Sequence, residues 1–205
     1  MFVCPRHKFS FARIPKCANS TLVKTFSKHC GVTLKNDASG QKAKILFNLD
    51  AGASVFESAR KAVFFREPLS RAVSMWLDKG HNLTWIQKCR FAGSDTQAPT
   101  FLEFLKSLEE NEFHHDGHFI PQTSMVPGDL SQYHVGTVEN IDRDLPRICE
   151  EIFGEFFGVE LERSNRTNAH ERLGEISQEE RDLVSKLYHR DFVLYNSLSA
   201  NAASL

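Results

Sequence analysis

Three apolar runs of strand length, each followed at once by a segment with helical spacing, constrain this chain more than any other feature. Lys8–Ile14 (KFSFARI), Lys61–Arg66 (KAVFFR) and Tyr133–Val138 read as buried strands. After the first, Leu22, Val23 and Phe26 share one helical face. After the second, Pro68 opens a helix in which Leu69, Ala72, Val73, Trp76 and Leu77 form an apolar stripe. Ser70, Arg71 and Ser74 fall outside that stripe, on a side expected to be free to bind. After the third, Ile141, Leu145, Ile148 and Ile152 keep helical register until Gly154, although Pro146 is an awkward interior residue. Alternating strands and helices predict an α/β fold, and right-handed crossovers place the three strands in one central parallel sheet flanked by helices. Ligands of such sheets bind beyond the carboxyl ends of the strands, where Lys16 and Arg66 emerge.

With 205 residues, 41% of them hydrophobic, the chain is expected to form one domain over 1–205. A formal charge of -1 and a pI near 6.8 give no long-range field toward nucleic acid or an anionic membrane, so any anion site must be local. The five cysteines (Cys4, Cys17, Cys30, Cys89, Cys149) never stand in C-x-x-C spacing, which argues against a disulfide framework or a zinc site. No run approaches the roughly 20 apolar residues of a membrane span, and the opening MFVCPR lacks the apolar stretch of a signal peptide. The expectation is a soluble, cytoplasmic protein. Thr100 with Glu103 and Ser177 with Glu180 read as capping boxes, starting helices near 101–110 and 178–190. Segments 30–43 and 91–99 are polar and turn-rich, as surface loops are. Phe64, Phe65, Phe101, Phe104 and Trp76 are expected to fill the core.

The loop Pro15-Lys16-Cys17-Ala18-Asn19-Ser20-Thr21 joins a strand to a helix N-terminus, where unpaired N–H groups and the helix dipole favour an anion. It lacks the G-x-x-x-x-G-K-S/T pattern of nucleotide triphosphatases. Its plain alternative is a helix start with a solvated lysine. The second element, REPLSRAVS from Arg66 to Ser74, sets a guanidinium at a strand end and a hydroxyl two helical turns later, a pair suited to phosphate oxygens. Here the alternative is a Glu67–Arg71 pair on an exposed face with Ser74 solvated.

Together, IPKCANST and REPLSRAVS resemble the sulfotransferase family, in which a P-K-x-x-x-T/S loop holds the 5′-phosphosulfate and an R-x-P-x-x-R-x-x-S element holds the 3′-phosphate. The resemblance continues in His118-Phe119-Ile120-Pro121-Gln122, in Val135-Gly136-Thr137-Val138-Glu139 and in Leu187-Tyr188-x-x-Asp191-Phe192. These look like the H-W-x-P-Q, G-K-x-E and Y-x-x-D-F segments of Golgi carbohydrate sulfotransferases of the chondroitin 4-O type. Phe119 stands for the tryptophan, Thr137 for the lysine, and the cysteine pair after P-Q is absent. The fold implied is a nucleotide-kinase-like, P-loop-like one. The activity implied is transfer of a sulfuryl group from 3′-phosphoadenosine 5′-phosphosulfate to a hydroxyl of a carbohydrate-like acceptor, with no metal. By the same resemblance, Lys16, Cys17, Ala18, Asn19, Ser20 and Thr21 take the 5′-phosphosulfate, while Arg66 and Ser74 take the 3′-phosphate. Arg166 adds a third phosphate contact, and Arg71 is a weaker candidate.

Sulfuryl transfer by in-line displacement depends on positioning and electrostatics, as phosphoryl transfer does. A sugar hydroxyl needs a proton acceptor, and His118 is the first choice, with His29, Asp50 and Glu57 as alternatives between the two donor motifs. His114, His115, Asp116 and His118 also invite a metal reading, but lack the H-x-x-x-H helix spacing of zinc enzymes. Trp85, near His81, reads as a packed indole or as a sugar contact. Two rival readings are a nucleotide kinase, disfavoured by the missing glycine-rich motif, and a nucleotide-binding protein without transfer activity, disfavoured by the intact Lys16.

Overall fold

The computed structural model describes residues 1–32, 57–80, 98–112, 116–156 and 169–202. They form an α/β structure with two compact units: Met1–Phe65 with Met125–Ser164, and Arg66–Ser124 with Asn165–Leu205.

The first unit holds the sheet, made of β1 (Phe2–Cys4), β2 (Phe9–Ala12), β3 (Arg60–Phe65) and β4 (Tyr133–Thr137) in that spatial order. The expected parallel core is present, with β2 paired to β3 and β3 to β4. β1, which the sequence reading did not anticipate, adds an antiparallel edge. Three residues are too few for a periodic signal. Its return to β2 is a 3-10 turn over Pro5–His7, closed by Lys8 in the left-handed region at φ 46. Phe9, Phe11, Ala62 and Phe64 share a core with Leu22, Val23 and Phe26 of α1 (Asn19–His29) and Leu145, Ile148, Cys149 and Ile152 of α4 (Ile141–Phe153). Pro146 does lie inside α4, which Gly154 ends at φ 83. The buried stripe outweighs the backbone hydrogen bond that the proline removes.

Two residues in this unit serve the fold. A Cβ on Gly136 would lie 2.5 Å from Cε1 of Phe64, so the glycine of the VGTVE segment makes room for a core ring. Thr137, where the related pattern has lysine, is buried, and its N–H and hydroxyl donate to Asp144 of α4 at 2.9 and 3.3 Å. On the outer side of β4, Arg147 donates to the carbonyl of Val135 and pairs with Glu151, which also holds Nδ1 of His134.

The second unit is helical: α2 (Pro68–Met75), α3 (Phe101–Glu110), the short α5 (Ala169–Arg172), α6 (Gln178–Leu187) and α7 (His189–Ala202). Both capping boxes are present. Phe64, Phe65, Phe101 and Phe104 are buried, and Trp76 packs on Phe101 while its indole N–H donates to Pro99. The predicted helix near 178–190 is two helices, broken at Tyr188. α2 corrects another expectation, because Arg71 and Ser74 are buried along with the apolar stripe. Ser70 is half-buried; the helix runs through the middle of the unit's core and passes into a π turn at Trp76–Gly80. The loops expected at 30–43 and 91–99 lie mostly outside the described residues. No helix among the described residues is long and apolar enough to cross a membrane.

Two outcomes test this packing. Gly136→Ala should lower stability by about 1–3 kcal/mol in denaturant titration, whereas Gly174→Ala, where the new methyl meets nothing within 4 Å, should change it by less than about 0.5 kcal/mol. His29, buried against Phe153 and Phe156, has its pKa lowered by desolvation, with help from Lys28 and His7. The native state therefore favours the neutral ring, and the unfolded chain, with a value near about 6.5, takes up the proton first. The contribution of His29 is present above that value and lost as pH falls through the lowered one. Thermal melts at about pH 7.5 and about pH 5.5 should show a smaller acid-induced drop in His29→Phe than in the wild type.

Candidate active site

β2 ends at Ala12, and the chain turns sharply before α1. The carbonyl of Ile14 accepts from the N–H of Cys17 at 3.2 Å, with Pro15 and Lys16 between them. Lys16 has φ 68, so this is a type II turn with lysine where glycine or asparagine usually stands. Holding a side chain there costs on the order of 1 kcal/mol. Ala18 is also left-handed, at φ 53, and serves as the N-cap of α1 without any side-chain cap; the first turn carries no acidic residue. The positive end of α1, with the N–H groups of Asn19, Ser20 and Thr21, is thus left without a side-chain acceptor. Turns with alternating handedness fold successive N–H groups into concave anion sites.

The same stretch holds two buried polar atoms without a hydrogen-bond partner among the described residues, Nε of Arg13 and Oδ1 of Asn19. Desolvation lowers the pKa of the Arg13 guanidinium. An anionic ligand that also offers a hydrogen-bond donor would satisfy both residues.

In the second unit, residues far apart in sequence tie down one segment, His118 to Thr123. The Gln122 amide clasps the main chain of Arg66, accepting from its N–H and donating to its carbonyl, each at 2.9 Å. Glu67 caps α2 by accepting from the N–H groups of Leu69 and Ser70. Arg71, 1% exposed, donates Nη2 to the carbonyls of His118 and Ile120 at 3.0 Å each, and its guanidinium lies 6.0 Å from the ring centroid of Tyr188. The Tyr188 hydroxyl donates to the carbonyl of Phe119 at 2.9 Å, and desolvation by burial pushes its pKa up. Asp191 accepts from the N–H of Gln122 at 2.7 Å and from the N–H and hydroxyl of Thr123 at 2.9 Å. The ring of His118, 38% exposed, meets Asp116 through Nδ1, and the same carboxylate oxygen accepts from the backbone N–H of His118.

Lys16, Cys17, Ala18, Asn19, Ser20 and Thr21 do form one turn and helix start. The thiol of Cys17 is buried and its N–H is used in closing the turn, so its part in this loop is to shape the backbone. Arg66 follows the carboxyl end of β3, and Ser74 lies buried on α2. Nη2 of Arg71 serves two carbonyls inside the unit, so this residue braces the loop. His29 is corrected as an alternative base: it ends α1, about 15 Å along the helix axis from Asn19, stacked on Phe153. Glu57 precedes the amino end of β3, away from the edge where Lys16 emerges. Asp50, His81, Trp85, His114, His115 and Arg166 lie outside the described residues. Among the described residues, no three His, Cys, Asp or Glu side chains gather as a metal ion would require.

The sequence reading missed Arg13 and the contact of Asp116 with His118. Arg13 was absorbed into an apparent strand; a charged residue interrupting its apolar run between Ala12 and Ile14 was the available signal. Asp116 lies two residues before His118, a spacing that an Asx turn brings into contact.

A model of the sulfotransferase family matches residues 1–196. Neither a curated protein nor a solved structure matches the chain. The match runs through the Lys16 turn, the Arg66 clasp and the Tyr188–Asp191 strut, and on that extent the chain belongs to the sulfotransferase family.

Proposed function

We propose that this chain transfers a sulfuryl group from 3′-phosphoadenosine 5′-phosphosulfate to a hydroxyl of a carbohydrate-like acceptor. The observation that carries this reading is the Lys16 turn, with positive φ at Lys16 and Ala18, leading into the uncapped end of α1, whose first turn carries no acidic residue of its own. The unsatisfied Arg13 and Asn19 atoms beside it in sequence fit a ligand rich in phosphate oxygens that also carries donors. When bound, the donor supplies an activated sulfuryl group whose leaving group is a phosphate oxygen.

The rest falls to the chain's own residues. Lys16 neutralises charge at the 5′-phosphosulfate, with the N–H groups and hydroxyls of Ser20 and Thr21, and the N–H of Asn19, around the 5′-phosphate. Cys17 and Ala18 set the backbone that presents them. Arg66 and Ser74 take the 3′-phosphate, and Arg166 adds a further phosphate contact. His118 accepts the proton of the acceptor hydroxyl. The carbohydrate-like acceptor rests on the HFIPQ, VGTVE and YxxDF segments, whose relatives modify sugars. A cytoplasmic setting is part of the proposal, in line with cysteines that never stand in C-x-x-C spacing.

The 3′-phosphate separates this donor from ordinary nucleotides. By calorimetry, 3′-phosphoadenosine 5′-phosphate should bind the wild type at least about tenfold more tightly than adenosine 5′-monophosphate, a gap of about 1.4 kcal/mol, without added metal. Arg66→Ala should remove that preference. The clasp by Gln122 uses only the main chain of Arg66, so the variant keeps it. Lys16→Ala should weaken both nucleotides, since both carry the 5′-phosphate. Equal binding of the two nucleotides by the wild type would refute the proposed donor.

A further inference from the structure

We infer that Asp116 is a positioning residue that fixes the tautomer and direction of His118, so that Nε2 is the nitrogen that accepts the acceptor's proton. This deepens the reading of His118 as the base and rests on it. One oxygen of Asp116 accepts from the backbone N–H of His118 at 2.8 Å and also meets its ring Nδ1. A carboxylate only accepts, so Nδ1 must carry the hydrogen in that contact, and the lone pair of the neutral ring then resides on Nε2.

The ring is fixed from its backbone as well. Its carbonyl accepts from Arg71, a residue 1% exposed, and its N–H is held by the same carboxylate that holds the ring. Asp116 is itself mostly buried, its side chain 16% exposed, while the His118 ring keeps 38% of its surface. An imidazole held at the backbone N–H, the backbone carbonyl and one ring nitrogen has little freedom to swing, and an acid–base group gains rate from such fixed geometry.

In the step assigned to it, the O–H bond of the acceptor breaks and its proton passes to Nε2. The electron pair stays on the oxygen, which bonds to sulfur as the bond to the leaving phosphate oxygen breaks. The imidazolium so formed is stabilised by the negative charge of Asp116 through Nδ1–H. Histidine–carboxylate pairs in hydrolases divide the work in this way.

The test uses the full chain labelled with 15N at histidine, with the His118 signals identified by their loss in His118→Gln. Long-range 1H–15N spectra at a pH where the ring is neutral should show Nδ1 protonated and Nε2 bare in the wild type. Asp116→Asn keeps an acceptor oxygen for the backbone N–H but can turn its amide donor toward the ring, and should move the population toward the Nε2–H form. An unchanged tautomer in Asp116→Asn overturns the inference, whatever the activity. Release of 3′-phosphoadenosine 5′-phosphate from the phosphosulfate donor, with water as the hydroxyl, is the second readout. Asp116→Asn should slow it at least about tenfold with nucleotide affinity unchanged, and the double variant should be no slower than His118→Gln alone. If His118→Gln retains the wild-type rate, the reading of His118 as base fails and the inference fails with it. If His118→Gln loses the rate while Asp116→Asn keeps it, the inference alone fails.

Discussion

A guanidinium taken out of water must find fixed acceptors, because an unmatched buried charge costs several kcal/mol. Arg71 answers part of that demand, with Nη2 on the carbonyls of His118 and Ile120 and the guanidinium over the face of Tyr188. The demand runs both ways, since those carbonyls belong to a loop that would otherwise have little to define it. Tyr188 and Asp191 complete the arrangement at Phe119, Gln122 and Thr123, and Gln122 hands the constraint on to the main chain of Arg66. A loop segment, one helix start and one helix break in the second unit thus share a single hydrogen-bond network.

This network explains why the motifs were readable in sequence while their roles were not. REPLSRAVS, HFIPQ and YxxDF were visible as patterns of residue types, but only Arg66, Ser74, Arg71 and His118 among them were given a role. In the structure Arg71, Gln122, Tyr188 and Asp191 hold the main chain of Arg66 and of the His118–Thr123 segment. Patterning by type is blind to that distinction, since an arginine for a phosphate and an arginine for two carbonyls look alike in one dimension. Burial of Ser74 and Arg71 was likewise hidden, because an apolar stripe shows which face must pack and leaves open whether the remaining faces are also covered.

The sheet was more legible, for a physical reason. Parallel strands read as short, nearly continuous apolar runs, and KAVFFR is such a run. Capping boxes are equally local, and both were found at the positions that their spacing indicated. What escaped were features set by long-range contacts or by very short elements: the three residues of β1, the break at Tyr188, and the place of Arg13 and Asp116. The Lys16 turn falls between these cases. Its residues announced a helix start, but the positive φ at Lys16 and Ala18 could be seen only in three dimensions. Strain of that kind, where glycine would have been easier, belongs with sites at which backbone direction matters more than local comfort.

The outer flank of β4 bears on behaviour beyond the single molecule. A strand edge with open carbonyls and N–H groups is a template onto which another chain can add by backbone pairing. Among the described residues β4 is the last strand of the sheet, and on its outer flank Arg147 occupies the carbonyl of Val135 while Glu151 ties that arginine to His134. Two charged side chains from the neighbouring helix therefore stand where an incoming strand would have to register. A protein so guarded can be concentrated with less tendency to polymerise along this flank of its sheet.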